Sequence, residues 1–176
     1  MRLFNRLPSR AQLPPAVAGV LELAKGERVL AFGVDDNVGG YVVATTFALA
    51  VVTSTCERSV RRRWLCVDAG SWEPVTGTLT VTWTDGGRAG QWSFRDQPTL
   101  LPETLRERVQ ASVVIATRLN LGDRRTGRVV IRKDFETREL IPQTILGRYT
   151  RADDPEVTAH VEAALAHLRD QVGLPA

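Results

Sequence analysis

Arg58, Arg61, Arg62 and Arg63 crowd one short stretch of the chain, and Arg124, Arg125, Arg128, Arg132 and Lys133 crowd another. A guanidinium offers five N–H donors in a planar fork that matches the oxygens of a phosphate or carboxylate, so each cluster has the chemistry to meet an anionic partner. Nucleic acid also asks for aromatic faces on which bases stack, and the sequence sets only Trp64 beside the first cluster and Phe135 near the second. The formal net charge is only +3, from 21 Arg and 2 Lys against 20 acidic residues. Arg in place of Lys is also what GC-rich coding writes, as in an actinobacterial source. The plainer reading of both clusters is a solvated loop or turn.

Other reactive side chains are sparse. His160 and His167 are the only histidines and stand seven residues apart on one side of a predicted final helix. Zinc takes three or four ligands, and no Cys or Glu set at ligand spacing accompanies them, so no metal residue is assigned. Cys56 and Cys66 are the only cysteines; two do not make a disulfide framework, and both read as free thiols. The segment Gly33–Gly40 is rich in glycine, but it joins two strands and lacks the spacing of a phosphate loop. A phosphate-loop lysine, a nucleophile elbow and a two-histidine zinc helix are all missing. Asp35 and Asp36 share a turn, and Asp68, Asp85, Asp96 and Asp134 fall near strand ends, where Asp bonds backbone. No catalytic, cofactor-binding or metal-binding residue is assigned, and the expectation is a non-enzyme.

What positions these groups is a run of short strands. RVLAFGVDD, GGYVVAT, FALAVVT, RRWLCVDAGSW, TLTVTWT and QWSFR follow one another from Arg28, with VDDNVGG and TDGGRAG as turn-forming joints. Leu79, Val81 and Trp83 alternate with threonines, as a half-buried strand does, and Trp72, Trp83 and Trp92 sit in successive strands as core anchors. Before the strands, Val17, Val20, Leu21 and Ala24 recur at helical spacing after Pro14 and Pro15, with Gly26 placed to stop a helix. After them, Pro102 and Glu103 open a helix with Leu105 and Val109 on one face. Strands through VIATRLNL, GRVVIRKD and LIPQTILGRY follow. Asp154, Pro155, the stripe Val157, Val161, Ala164, Leu165, Leu168 and Val172, and Gly173 then define a final helix that must dock on those strands.

This order, and the stretch GERVLAFGVDDNVGGYVVATTFALAVV with the later Trp72 and LTVTWTDGGRAGQWSF, resembles the bacterial pleckstrin-homology-like (PH-like) domains over about residues 26–113. The chain is also similar to an uncharacterised actinobacterial protein family that shares this front half and a DDPEV-type final helix. The resemblance implies an α+β fold: a PH-like antiparallel β-barrel or meander closed by a helix, with a short β-rich extension and a C-terminal amphipathic helix. The division is a flexible N-terminus at 1–13, the barrel with flanking helices at 14–113, and a β-hairpin extension with its helix at 114–176. It further implies a non-enzymatic scaffold that binds lipids, peptides or proteins. Phosphoinositide-binding members place Lys and Arg around the first hairpin, where this chain has Asp35 and Asp36 and no basic residue.

The expected function is a cytoplasmic interaction module for a protein partner or a second copy of itself, with Arg58, Arg61, Arg62 and Arg63 as candidate contacts. The alternatives are nucleic-acid or anionic-membrane binding through the arginine clusters, and an enzyme whose site carries no recognisable motif. The longest apolar stretch, Tyr41 to Val52, falls short of the ~20 residues that span a bilayer. MRLFNRLPSR lacks the apolar core of a secretory signal, which makes the cytoplasm the default compartment.

Overall fold

The computed structural model describes residues 12–95 and 97–175. The expected flexible N-terminus lies outside them except for its last two residues, and so does Asp96. The fold is α+β, with three antiparallel sheets and three helices in the described chain.

Helix α1 (Pro15–Leu21) leads into a four-stranded meander, β1 (Val29–Val34), β2 (Tyr41–Thr45), β3 (Ala48–Val52) and β4 (Arg58–Arg63), paired in that order. A second meander follows: β5 (Val67–Glu73), β6 (Thr78–Trp83) and β7 (Gly90–Ser93). Strands β2 and β3 are covered on both faces, which is why they read as continuous apolar runs. Val42, Ala44 and Leu49 join Trp64, Val67, Leu79, Val81, Trp83 and Phe94 in the core between the two sheets. Val43, Ala50 and Val52 turn the other way and pack under Val17 and Leu21 of α1. Helix α2 (Leu101–Ser112) seals the inner core by inserting Leu101 and Leu105; burying a leucine fully is worth roughly 1.5–3 kcal/mol. Gly33 is required at this seal, because a Cβ there would lie 2.8 Å from the Phe94 ring and 3.1 Å from Leu101.

The two sheets are clipped at the first hairpin by the acidic residues that the sequence places there. Asp35 is buried, and its Oδ1 accepts the Ser93 N–H at 2.9 Å. Asp36 accepts the Arg95 N–H at 2.7 Å and the Ser93 hydroxyl at 3.1 Å. The Gln97 amide continues the clip by pairing with both backbone groups of Val34. No ladder closes the two sheets into a single barrel among the described residues.

Three expectations need correction. RRWLCVDAGSW is not one strand: β4 ends at Arg63, Trp64–Cys66 form a single 3-10 turn, and β5 starts at Val67. The corner arises because Trp64 drives into the core, 1% exposed, and its indole N–H bonds Thr45 O at 3.0 Å. Helix α1 stops at Leu21 with Glu22 in the left-handed conformation, short of Gly26, because Arg58 takes the Leu21 carbonyl and the chain then closes a turn from Ala24 to Glu27. The extension is a three-stranded sheet and not a hairpin: α2 passes directly into β8 (Val113–Arg118), which pairs with β9 (Gly127–Lys133), which pairs with β10 (Leu140–Leu146).

Helix α3 (Pro155–Val172) docks on that sheet as its stripe requires, with Val157 and Leu168 buried against Leu119, Leu121, Val129 and Ile131. Asp154 caps it by accepting the Glu156 N–H, and Gly173 ends it in the left-handed conformation. No helix among the described residues is long and apolar enough to cross a membrane.

Candidate functional site

The first arginine cluster is an edge strand and not a loop or turn, and every guanidinium in it meets a carboxylate. Arg58 pairs with Glu22 at 2.9 Å, Arg61 with the buried Glu27 at 2.6 Å and Arg62 with Asp85 at 2.6 Å. Arg62 also lies over the Trp83 ring, 4.6 Å from its centroid, and Arg63 pairs with the buried Asp134. Strand β4 thereby ties together the end of α1, the entry to β1, the β6–β7 turn and the C-terminal sheet. An open strand edge invites pairing with other chains, and a row of charged side chains blunts it.

The second cluster divides. Arg128 reaches back to Asp68, and Arg132, 2% exposed, donates to Val67 O at 2.9 Å and to the Ser112 hydroxyl at 3.0 Å. Burial pushes the Arg132 guanidinium below its usual range, and Asp68 opposes that shift. Gln143 adds a bond to Leu65 O, so a polar seam joins β9 and β10 to the 3-10 turn and β5. Arg124 and Arg125 instead face a depression of about 480 Å³ that they line together with Tyr149. Sequence reading missed Tyr149, which reaches the cluster only through the fold.

A third place appears where the β1–β2 and β3–β4 hairpins end. Val38 and Gly40 of the β1–β2 hairpin, Val51 to Ser54 and Ser59 of the β3–β4 hairpin, and Trp92 of β7 line a groove of about 320 Å³, with Asp35 at one wall. Val38 stands 68% exposed at the hairpin tip, while Trp92 is half-buried against the core. Val38, Val51 and Trp92 supply the apolar side chains of the groove, and Thr53, Ser54 and Ser59 place hydroxyls along its β3–β4 side. The Asp35 carboxylate is engaged by Ser93 and stays part of the frame. The position matches none of the residues proposed from sequence, since valines in a strand run carry no signal of a shared groove.

No protein-family model, curated protein or solved structure matches this chain.

The remaining reactive side chains have local partners. His160 and His167 are exposed on α3; the first contacts Glu156 O at 2.8 Å and the second Gln171 at 2.9 Å. Cys56 and Cys66 are free thiols, and burial pushes the Cys66 thiol up, so it stays protonated at neutral pH.

Two exposed carboxylates of the meanders, Asp36 and Asp85, are held ionised to lower pH than usual. Asp36 is held below the usual range chiefly by the Arg95 N–H, and Asp85 chiefly by the Gly87 N–H and then by Arg62. A carboxylate whose pKa is lower folded than unfolded binds fewer protons in the native state, so stability rises with pH through that interval. Both contributions are complete above about pH 4 and fade as the pH falls through the depressed native values. Acid unfolding followed by tryptophan fluorescence is expected to show a shallower acid limb in Asp36→Asn; an unchanged limb would contradict the clip described for Asp36.

Proposed function

We propose that this chain is a cytoplasmic, non-enzymatic interaction module on a PH-like frame, and that it binds a protein partner through the groove between its β1–β2 hairpin, its β3–β4 hairpin and Trp92. A four-stranded meander, a three-stranded meander and a helix sealing their shared core are the strand order and capping that such a frame has. The observation that carries the functional reading is the groove itself: an exposed valine at a hairpin tip and a half-buried tryptophan line one depression together with Val51 and the hydroxyls of Thr53, Ser54 and Ser59. Apolar and aromatic side chains in a depression of this kind are what anchor residues of a protein partner fill.

Three further features support the reading. The aspartates at the first hairpin work as structural clips and put negative charge where a phosphoinositide site needs positive charge. The four arginines of β4 already hold carboxylates, so a partner contacting them has to break an ion pair at each; here they shape the strand and the groove makes the contact. Two free thiols suit a reducing compartment.

Peptide display against the immobilised chain tests this. Enriched peptides are expected to carry an aromatic or aliphatic anchor, and their affinity by calorimetry should fall at least about tenfold, or ~1.4 kcal/mol, in Val38→Glu, which places a charge in the groove. Val38 is exposed, so the variant keeps its fold. Undiminished binding by Val38→Glu would remove the groove as the contact surface.

A further inference from the structure

The depression at the outer end of the C-terminal sheet is held by two loops that the sequence separates. Loop 119–126 follows β8, and loop 147–154 follows β10. They are clamped by three bonds: Gly147 N–H to Thr126 O at 2.7 Å, Thr126 N–H to the Thr150 hydroxyl at 2.9 Å, and that hydroxyl to Thr126 O at 2.8 Å. The approach is so close that a Cβ on Gly147 would lie 2.0 Å from Thr126 Oγ1, which only glycine avoids. The loops therefore form a fixed platform and do not have to be ordered by a ligand.

On the platform the charges are unequally used. Arg125 is fixed against α3 by Asp154 at 3.2 Å and Glu156 at 2.9 Å, and Asp153 is taken by Arg151. Arg124 holds no carboxylate within ion-pair distance among the described residues, and its backbone sits at φ 67°, a left-handed conformation uncommon for a residue with a Cβ. Asp123, its neighbour, is the one carboxylate of the two loops without an ion pair. Tyr149, 71% exposed, is the only exposed aromatic ring among the described residues. An open ring and an uncommitted guanidinium thus border one depression of about 480 Å³.

We infer that this depression is a second binding site, independent of the groove, for a nucleoside phosphate: Tyr149 stacks on the base and Arg124 holds the phosphate. Stacking on an aromatic face suits any base, and the guanidinium fork matches phosphate oxygens. A lipid surface fits the same residues poorly, since it calls for several insertable apolar side chains beside its cations, and the two loops expose only the Tyr149 ring beside Arg124 and Arg148, the cations that hold no carboxylate among the described residues. A free nucleotide and one unit of a single-stranded nucleic acid present the same chemistry.

The test titrates the full chain at low salt with adenosine monophosphate, inorganic phosphate, a fluorescent single-stranded oligoadenylate and phosphatidylserine vesicles. Tyr149→Ala is expected to weaken oligoadenylate binding about tenfold or more, and Tyr149→Phe to retain it, since the ring and not the hydroxyl does the stacking. Arg124→Ala should weaken it similarly and reduce the salt slope by about 0.7, the value for one phosphate of a single strand. Both residues are exposed at a loop, so the variants fold, which circular dichroism confirms. Saturable binding of the monophosphate with shifts at Arg124 and Tyr149 supports the site and identifies a free nucleotide; binding of the oligomer alone, with the same losses on mutation, supports it and identifies a strand. Equal affinity for inorganic phosphate, binding unaffected by either alanine variant, binding to vesicles only, or no binding to any probe would overturn it.

Discussion

Trp64→Ala is expected to be the most destabilising single substitution in this fold, at about 3–5 kcal/mol. The ring is 1% exposed at the corner between β4 and β5, where it packs with Val42, Leu49, Val67 and Leu79, and its N–H satisfies Thr45 O. Removing it opens a cavity beneath both sheets and strands a buried carbonyl. Against the total of roughly 5–15 kcal/mol typical of a domain, that is about a third to a half at the middle of the range, and the unfolding midpoint should fall by a comparable fraction. Trp64→Phe separates the two contributions: most of the volume remains but the carbonyl loses its donor, for an expected cost of about 1–3 kcal/mol. Urea unfolding followed by far-ultraviolet circular dichroism measures both. A loss below about 1 kcal/mol for Trp64→Ala would mean that the corner does not depend on the indole.

Glu27→Ala is expected to come next, at about 3 kcal/mol, the range for removing one partner of a buried ion pair. Its side chain is fully enclosed, one oxygen accepting the Ala24 N–H at 2.9 Å and Arg61 at 2.6 Å, the other the Thr45 hydroxyl at 2.5 Å. Those three donors come from the loop after α1, from β4 and from β2, so the carboxylate closes the joint by which the helix enters the sheet. Arg61→Met should cost a comparable amount, because it leaves the fully enclosed Glu27 carboxylate without its cation, although Glu27 keeps its other two donors. In the double variant Glu27→Ala/Arg61→Met, the combined loss should be smaller than the sum of the single losses by at least about 1 kcal/mol, the signature of a direct interaction. Strict additivity would contradict the pairing.

Where a signal is local, the sequence carried it. The alternation of Leu79, Val81 and Trp83 with threonines became β6 as expected, and Asp154, Pro155 and Gly173 mark the two ends of α3. Periodicity and capping are properties of neighbouring residues, so one chain suffices to read them. The β4–β5 corner is different, since the Arg-rich stretch has no alternation and the break depends on where the Trp64 ring can be buried. Glu27 resembles any acidic residue between a helix and a strand until Thr45 and Arg61 arrive from elsewhere. Tyr149 meets Arg124 and Arg125 only because Thr126 and Thr150, 24 residues apart, bond to each other.

The arginine clusters show the same limit on the functional side. Their residue type announces an affinity for anions, and the fold meets most of that affinity with its own carboxylates: Glu22, Glu27, Asp85 and Asp134 for β4, Asp68 for Arg128. Composition counts charges, but only the folded chain shows which of them are already neutralised. A groove lined partly by ordinary valines leaves no trace in composition at all.

The proposal that this groove meets a protein partner is open to amide and indole chemical-shift mapping on the ¹⁵N-labelled full chain with the tightest peptide from display. Perturbations are expected to concentrate on Val38, Gly40, Val51, Ser59 and the Trp92 indole. Perturbations centred instead on Arg58, Arg61, Arg62 and Arg63, with the groove signals unmoved, would contradict it.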